Sequence, residues 1–185
     1  MAMTLRIRGR LVTFERPAVM GIVNVTPDSF FAGSRTQALD DIRRRVEQMM
    51  ADGADMLDVG GYSSRPGAAE VSEQEELDRI GRGMEAIRSV APEVPVSVDT
   101  FRASVAHAAV SEMGCDIVND ISGGLLDGDM AQTVAGLGCP YILMHMRGTP
   151  ATMQQLTDYG GDVVAAVLGE LAAAVHRFTQ AGVAD

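Results

Sequence analysis

The chain has 185 residues, 46% of them apolar, which is enough for one sizeable hydrophobic core. A net charge of -10 describes a surface that repels phosphate backbones and argues against non-specific nucleic-acid binding. No apolar run is long enough to span a membrane, and MAMTLRIRGR lacks the apolar core of a signal peptide, so we expect a cytoplasmic protein. The two cysteines, Cys115 and Cys139, are read as small core residues in a reducing compartment.

The first residues predict a small β-hairpin. Leu5–Ile7 and Leu11–Phe14 are short apolar segments on either side of a turn at Arg8-Gly9-Arg10. A different unit then repeats: a short apolar strand, a turn rich in Gly, Asn and Asp, and an amphipathic helix. We therefore divide a single domain into a hairpin over residues 1–16 and βα units over residues 17–185.

The repeating unit predicts five strands, which are Ala18–Val23, Met56–Val59, Val94–Val98, Cys115–Val118 and Pro140–Met144. Helices are predicted between and after them, beginning near Thr36 and Ser72 and covering Arg102–Met113, Met130–Leu137 and Asp162–Gln180. Ser72-Glu73-Gln74-Glu75 fits a capping box at the start of the second helix.

Continuous apolar strands that alternate with helices indicate an α/β fold with a parallel sheet covered by helices. Two layouts remain open at this point, the doubly wound sheet and the (β/α)8 TIM barrel. Glycine-rich phosphate loops of the GxGxxG or Walker type do not occur in the sequence, and this favours the barrel. A full barrel takes about 250 residues. We therefore expect this chain to supply about the first five βα units of an incomplete barrel.

Polar residues end each predicted strand, namely Asn24, Asp58, Asp99, the pair Asn119-Asp120, and His145. The carboxyl ends of parallel strands meet at one rim, so these side chains are expected to converge there. A single Asp after a strand more often caps a helix, and Asp99 with Thr100 has that alternative, as Asp120 has within its own turn. Asn24 has no such alternative, because the first helix begins about a dozen residues later.

The loop after the second strand offers groups that suit phosphate. Gly60 and Gly61 allow close approach of backbone N–H groups, and Ser64 and Arg65 add a hydroxyl and a guanidinium. A flexible loop rich in Gly, Ser and Pro, which is a common feature of proteins, is the alternative. Beside a diphosphate, the amide oxygen of Asn24 suits Mg²⁺, which takes few protein ligands and fills its shell with water and phosphate oxygens.

The remaining strand ends suit a flat heterocycle. Asp99 and Asn119 together offer a carboxylate and a two-sided amide to the donor and acceptor edge of a fused ring. Met144 offers an apolar wall. His145 is left outside the catalytic set, because a single histidine is more often structural.

Five motifs in this order and spacing, GIVNVTPDSF, DVGGYSSRPGA, SVDTFRA, IVNDISGG and LMHMRGTP, resemble those of the dihydropteroate synthases in the pterin-binding TIM-barrel family. The resemblance covers residues 18–185. It implies a transferase of folate biosynthesis that joins 6-hydroxymethyl-7,8-dihydropterin diphosphate to p-aminobenzoate, releases diphosphate, and is a target of sulfonamides.

The resemblance also assigns residues by position. It implies that Asn24 contacts Mg²⁺ and diphosphate, that Ser64, in place of a usual threonine, and Arg65 bind the diphosphate, and that the other matching positions wall the two substrates. Of those positions, Asp99, Asn119 and Met144 would line the pterin pocket, and Phe30 and Pro66 the p-aminobenzoate site. Asp99, Asn119 and Arg65 form the expected catalytic set, and Asp99 is expected to stabilise positive charge on the pterin ring.

Relatives are expected to continue into DPGFGFGK and SRK segments and an arginine-histidine pair, none of which occurs here. All 15 basic residues are arginine, so this chain cannot supply the essential lysine that the resemblance implies. We expect the N-terminal portion of a synthase that is a homodimer at full length. Two alternatives stay open: a pterin-barrel methyltransferase acting on methyltetrahydrofolate, and a non-catalytic pterin-binding fragment.

Overall fold

The structure, a computed structural model, describes residues 2–26, 35–62 and 70–184, without the side chains of residues 35–37. Two antiparallel strands, β1 (Met3–Ile7) and β2 (Arg10–Phe14), form the predicted N-terminal hairpin. Five parallel strands follow in chain order: β3 (Met20–Asn24), β4 (Met56–Gly60), β5 (Val96–Asp99), β6 (Ile117–Asp120) and β7 (Tyr141–Leu143). The helices between and after them are α1 (Arg35–Ala51), α2 (Glu73–Val90), α3 (Ala103–Ser111), α4 (Met130–Leu137) and α5 (Val163–Ala181).

The five strands pair with their neighbours in chain order, which makes a parallel sheet with β3 and β7 at its two ends. The predicted α/β class and number of strands are confirmed. Several strands extend one or two residues beyond their predicted ends, because Asn24, Gly60, Asp99 and Asn119 still pair through their backbones with the next strand. The polar groups therefore stand on the last residues of rigid strands.

The outer face of the sheet packs against the helices. Val23, Val59, Val98 and Val118 form one row across four strands and are almost fully buried in the main core. Alternate residues of a strand point to opposite faces, so the residues between these valines face the other side of the sheet. The helices thus cover one face and leave the inner face for a site.

The hairpin closes the amino-terminal end of the sheet. Ile7 packs with Met56 and Ile117 in a second, smaller core beneath the inner face. Arg8 donates a hydrogen bond of 2.7 Å to the buried carboxylate of Asp116, which precedes β6. The hairpin therefore covers the amino-terminal end of the sheet, opposite the polar strand ends. No helix among the described residues has both the length and the apolar character to cross a bilayer.

The amino-terminal ends of α2 and α3 agree only in part with the sequence-based prediction. The hydroxyl of Ser72 accepts a hydrogen bond from the backbone N–H of Glu75, as the capping box predicts. The carboxylate of Glu75 pairs with Arg79 one turn further along, so only half of the capping box forms. Helix α3 begins at Ala103, one residue later than predicted, and its first N–H donates to Asp127.

Candidate active site

One row of residues crosses the inner face at the carboxyl end of the sheet. Asn24 is in register with Gly60, Gly60 with Asp99, and Asp99 with Asn119. Residues in register on parallel strands point to the same face. The structure therefore brings three predicted site residues to one side of the sheet.

Gly60 leaves space between two of these side chains. A Cβ at Gly60 would lie 3.5 Å from Oδ2 of Asp99 and 3.7 Å from Oδ1 of Asn24. The two polar atoms thus flank a strip of bare backbone, where a flat ligand can approach the sheet closely. Gly60, the first glycine of the Gly60-Gly61 pair, therefore forms part of the floor of the site.

Asp99 does not serve as a helix cap. Within the described residues, the N–H of Arg102 bonds to Thr100 and that of Ala103 to Asp127, so the capping alternative for Asp99 is wrong. Burial raises the pKa of the Asp99 carboxyl to about 7, and the negative charges of Asp58, Glu76 and Asp120 add to the shift. A carboxyl with such a pKa is poised to respond to a cationic ligand.

A hydrogen-bonded layer lies beneath this row. Asp58, which is 4% exposed, stands two residues before Gly60 and therefore on the same face. Its carboxylate accepts a hydrogen bond from the Ser97 hydroxyl and another, 3.2 Å long, from Nδ2 of Asn119. Burial raises the pKa of Asp58, and these two donors oppose that shift.

Asp120 points away from the row and holds its own turn. Its carboxylate accepts hydrogen bonds from the N–H groups of Ser122 and Gly124, at 2.7 and 2.9 Å, and from the Tyr141 hydroxyl at 2.8 Å. The structural interpretation of Asp120 is therefore correct. Its role is to fix the loop that follows Asn119.

Met144 and His145 follow β7. Met144 is 42% exposed and lines a cavity of about 360 Å³ together with His145, but Asp99 and Asn119 are not among the residues that line this cavity. Nε2 of His145 lies 2.7 Å from a carboxylate oxygen of Glu170 on α5, which also binds Arg147. His145 thus ties the β7 loop to α5.

Two arginines hold the ends of the loop after β4, a feature that sequence reasoning missed. Arg79 donates to the carbonyl of Gly61 at 2.9 Å, and Arg102 donates to the carbonyl of Val71 at 2.8 Å. Arg102 is in turn paired with the fully buried Glu76. The spacing of charges on α2 does not predict these buried contacts, because charged side chains on a helix usually face solvent.

Four predicted site residues, Phe30, Ser64, Arg65 and Pro66, lie outside the described residues. The described part of the chain contains no group of three or more His, Cys, Asp or Glu side chains that could enclose a metal ion. A single neutral amide oxygen, that of Asn24, fits a Mg²⁺ ion whose other ligands are water and phosphate oxygens.

Comparison with known proteins agrees with this geometry. Residues 20–185 match the family described as pterin binding enzyme. The chain is 42% identical over 182 residues to a dihydropteroate synthase of Escherichia coli, which covers 98% of this chain and 63% of that protein, and 45% identical over 146 residues to one of Synechocystis, covering 79% and 50%. It is 50% identical over 139 residues to a folate synthesis bifunctional protein of Arabidopsis thaliana, covering 74% and 25%.

Solved structures give the same result. A dihydropteroate synthase of Xanthomonas albilineans with 4-aminobenzoic acid superposes with a TM-score of 0.85 at 36% identity, over 100% of this chain and 64% of that one. A Yersinia pestis dihydropteroate synthase with a sulfonamide drug gives 0.82 at 40% identity, over 98% and 65%.

The fold, the row of polar strand ends and the family match together define the class: the chain belongs to the family of pterin binding enzymes. Within that family, the relatives that it resembles are dihydropteroate synthases, and its five βα units correspond to part of their TIM barrel. The chain spans between a quarter and about two thirds of the length of these relatives.

Proposed function

We propose that this chain is the N-terminal part of a dihydropteroate synthase, which condenses 6-hydroxymethyl-7,8-dihydropterin diphosphate with p-aminobenzoate to give 7,8-dihydropteroate and diphosphate. The observation that carries the proposal is the row of Asn24, Asp99 and Asn119 on one face at the open end of the sheet. Structures of relatives in complex with 4-aminobenzoic acid and with 7,8-dihydropteroate support this choice of substrates.

One group of site residues binds the pterin ring, and another binds the diphosphate. Asp99 and Asn119 bind the edge of the pterin, and Met144 packs against the ring. As the bond between the methylene carbon and diphosphate breaks, the ring system carries positive charge, which the carboxylate of Asp99 stabilises. The amine of p-aminobenzoate then attacks the methylene carbon, and the proton that its nitrogen loses passes to the released diphosphate or to water. No covalent enzyme intermediate is needed, so the absence of a nucleophile and base pair from the predicted site fits the reaction.

The diphosphate end of the pterin substrate is bound by residues of the loops and of β3. Asn24, Ser64 and Arg65 bind the leaving diphosphate, and Phe30 and Pro66 wall the p-aminobenzoate site, which sulfonamides would also enter. Asn24 would hold a Mg²⁺ ion, which would supply positive charge to the phosphate oxygens. The full-length protein is proposed to be a cytoplasmic homodimer that binds neither nucleic acid nor membrane.

An assay of diphosphate release tests the proposal. The complete gene product, incubated with the pterin diphosphate, p-aminobenzoate and Mg²⁺, is expected to release diphosphate and form dihydropteroate, and Asp99→Asn is expected to do so much more slowly. Transfer of a methyl group from methyltetrahydrofolate instead would establish the alternative enzyme. The Ser63-Ser64-Arg65-Pro66 segment favours the synthase, because methyl transfer needs no diphosphate loop.

The 185-residue chain is assayed beside the complete product. Pterin binding without turnover by this chain would identify it as a binding fragment, and restoration of turnover by the missing C-terminal part would identify it as one portion of the enzyme. Failure of both proteins to bind the pterin would refute the proposal.

A further inference from the structure

Asp58 is a buried carboxylate that the proposed reaction does not use. It lies on β4 in the layer beneath Asp99 and Asn119, and only 4% of its surface is exposed. Its two hydrogen-bonding partners, Ser97 and Asn119, are both neutral. Burying a carboxylate with neutral partners is costly, so the position calls for an explanation beyond packing.

The contact with Asn119 shows which end of that amide faces Asp58. An ionised carboxylate accepts hydrogen bonds and donates none, so only the NH2 group of Asn119 can face it. The observed contact joins Nδ2 of Asn119 to Oδ2 of Asp58 at 3.2 Å. The Oδ1 atom of Asn119 is then turned away from Asp58.

We propose that Asp58 is a positioning residue, which holds the amide of Asn119 so that its oxygen faces the ligand. This inference rests on the proposed function. Asp99, in register with Asn119, offers a second acceptor beside it. Two neighbouring acceptors select a ring edge made of donors, such as an exocyclic amino group beside a ring N–H. A ring with an oxo group in place of that amino group meets lone pairs and is rejected.

The test compares two ligands that differ only at this edge, 6-hydroxymethylpterin and its 2-oxo analogue, 6-hydroxymethyllumazine. The parent protein is expected to bind the pterin more tightly in calorimetric titration. Asp58→Asn is expected to reduce the ratio of the two affinities about tenfold, because an amide at this position can accept or donate and so lets Asn119 turn over. A single good hydrogen bond in a buried site carries discrimination of that size.

Two further variants separate positioning from general stability. Ser97→Ala removes the other donor to Asp58 but leaves the contact with Asn119, so the ratio should stay at the parent value. In an Asn119→Ala background, Asp58→Asn should have no further effect on the ratio, because the group that it positions is gone. Equal weakening of both ligands by Asp58→Asn, or the same change in ratio in both backgrounds, would overturn the inference.

A measurement on the parent protein does not depend on how the variants fold. In ¹⁵N-labelled protein, the side-chain NH2 of Asn119 should exchange with solvent at least tenfold more slowly than those of exposed side-chain amides. Rapid exchange of both its protons would overturn the inference. Failure of the complete protein without substitutions to bind the pterin would refute the proposed function as well. An unchanged ratio of affinities in Asp58→Asn, with pterin binding intact, would refute only the role of Asp58.

Discussion

The carboxylate of Asp99 lies across from a residue without a side chain: a Cβ on Gly60 would be 3.5 Å from Oδ2 of Asp99. This distance is an ordinary van der Waals contact, and so is the 3.7 Å to Oδ1 of Asn24. The glycine is therefore not required by the packing of the sheet itself. It keeps open the space in which a ring can reach both polar groups.

This arrangement predicts different outcomes for two substitutions of Gly60. Gly60→Ala should fold normally and bind pterin with a modest loss, because its Cβ fits. Gly60→Val should also fold, since β-branched residues suit strands, but its two methyl groups would fill the space beside Asp99. Its affinity for pterin should fall by at least a hundredfold in calorimetric titration, with a melting temperature near that of the Ala variant. If Gly60→Val binds pterin as tightly as the unsubstituted protein does, Gly60 does not form the floor of the site.

Asp99 should impose a pH dependence on turnover. Its pKa is raised to about 7, mainly by burial, so the stabilising carboxylate is lost as the pH falls below that value. The turnover of the complete enzyme should rise with pH through this range, and Asp99→Asn should lose both most of the turnover and the inflection. Unchanged turnover in the variant would remove Asp99 from the mechanism.

The same carboxyl should lower stability at neutral pH. The unfolded chain releases the proton of Asp99 near pH 4, whereas the folded chain keeps it up to about pH 7. Folded protein thus binds more protons within this window, and the contribution of Asp99 to stability falls as the pH rises through it. Asp99→Asn should gain about 1 kcal/mol at pH 8, less than the full shift would give, because the carboxyl is partly exposed to solvent. Urea unfolding at pH 4 and pH 8 measures the difference.

Asn24 is expected to act on the anionic end of the substrate only. Asn24→Ala should weaken binding of the pterin diphosphate in the presence of Mg²⁺ by at least tenfold, and should barely change binding of 6-hydroxymethylpterin. Titrations with and without Mg²⁺ separate the two contributions. Equal losses for both ligands would refute a role at the metal and diphosphate.

Two glycines of α2 form a matched pair. A Cβ at Gly83 would lie 2.7 Å from Val59 and 2.8 Å from Val25, while a Cβ at Gly81 meets nothing within 4 Å. Gly83→Ala should therefore destabilise the fold by about 1–3 kcal/mol through overpacking of helix against sheet. Gly81→Ala should stabilise it by about 0.5–1 kcal/mol, because alanine is the better helix former. Urea midpoints that shift the same way in both variants would contradict the close packing of α2.

Asp116 joins three parts of the fold. Its buried carboxylate accepts hydrogen bonds from Arg8 of the hairpin, from Arg88 of α2 and from the backbone of Val96 in β5. Asp116→Ala should cost about 1–3 kcal/mol, because the buried N–H of Val96 loses its acceptor, whereas Arg88 keeps its bonds to the carbonyls of Val94 and Gly114. Glu47→Ala, at an exposed site on α1, is the control and should change stability by less than about 0.5 kcal/mol. A cost for Asp116→Ala no larger than that of the control would show that Asp116 does not hold these three parts together.

The sequence alone was sufficient for those features that depend on neighbouring residues. Five strands, the hairpin and the bounds of α4 could be predicted because strand and helix periods repeat locally. Convergence of Asn24, Asp99 and Asn119 on one face followed from the parallel sheet.

Contacts between distant residues could not be obtained in this way. Asp58 and Asn119 are 61 positions apart, and which strand ends lie in register depends on how the whole sheet assembles. Nothing in the spacing of charges on α2 distinguishes Glu76 from its exposed neighbours. Only the fold shows that it is fully buried and paired with Arg102.

The hairpin has a consequence for biosynthesis. Arg8 leaves the ribosome before Asp116, which follows 108 positions later. At about 5–20 residues per second, the nascent hairpin waits on the order of ten seconds before this ion pair can anchor it. The hairpin is therefore made well before the ion pair that anchors it can form, and until then its apolar face is available to chaperones or to another nascent chain.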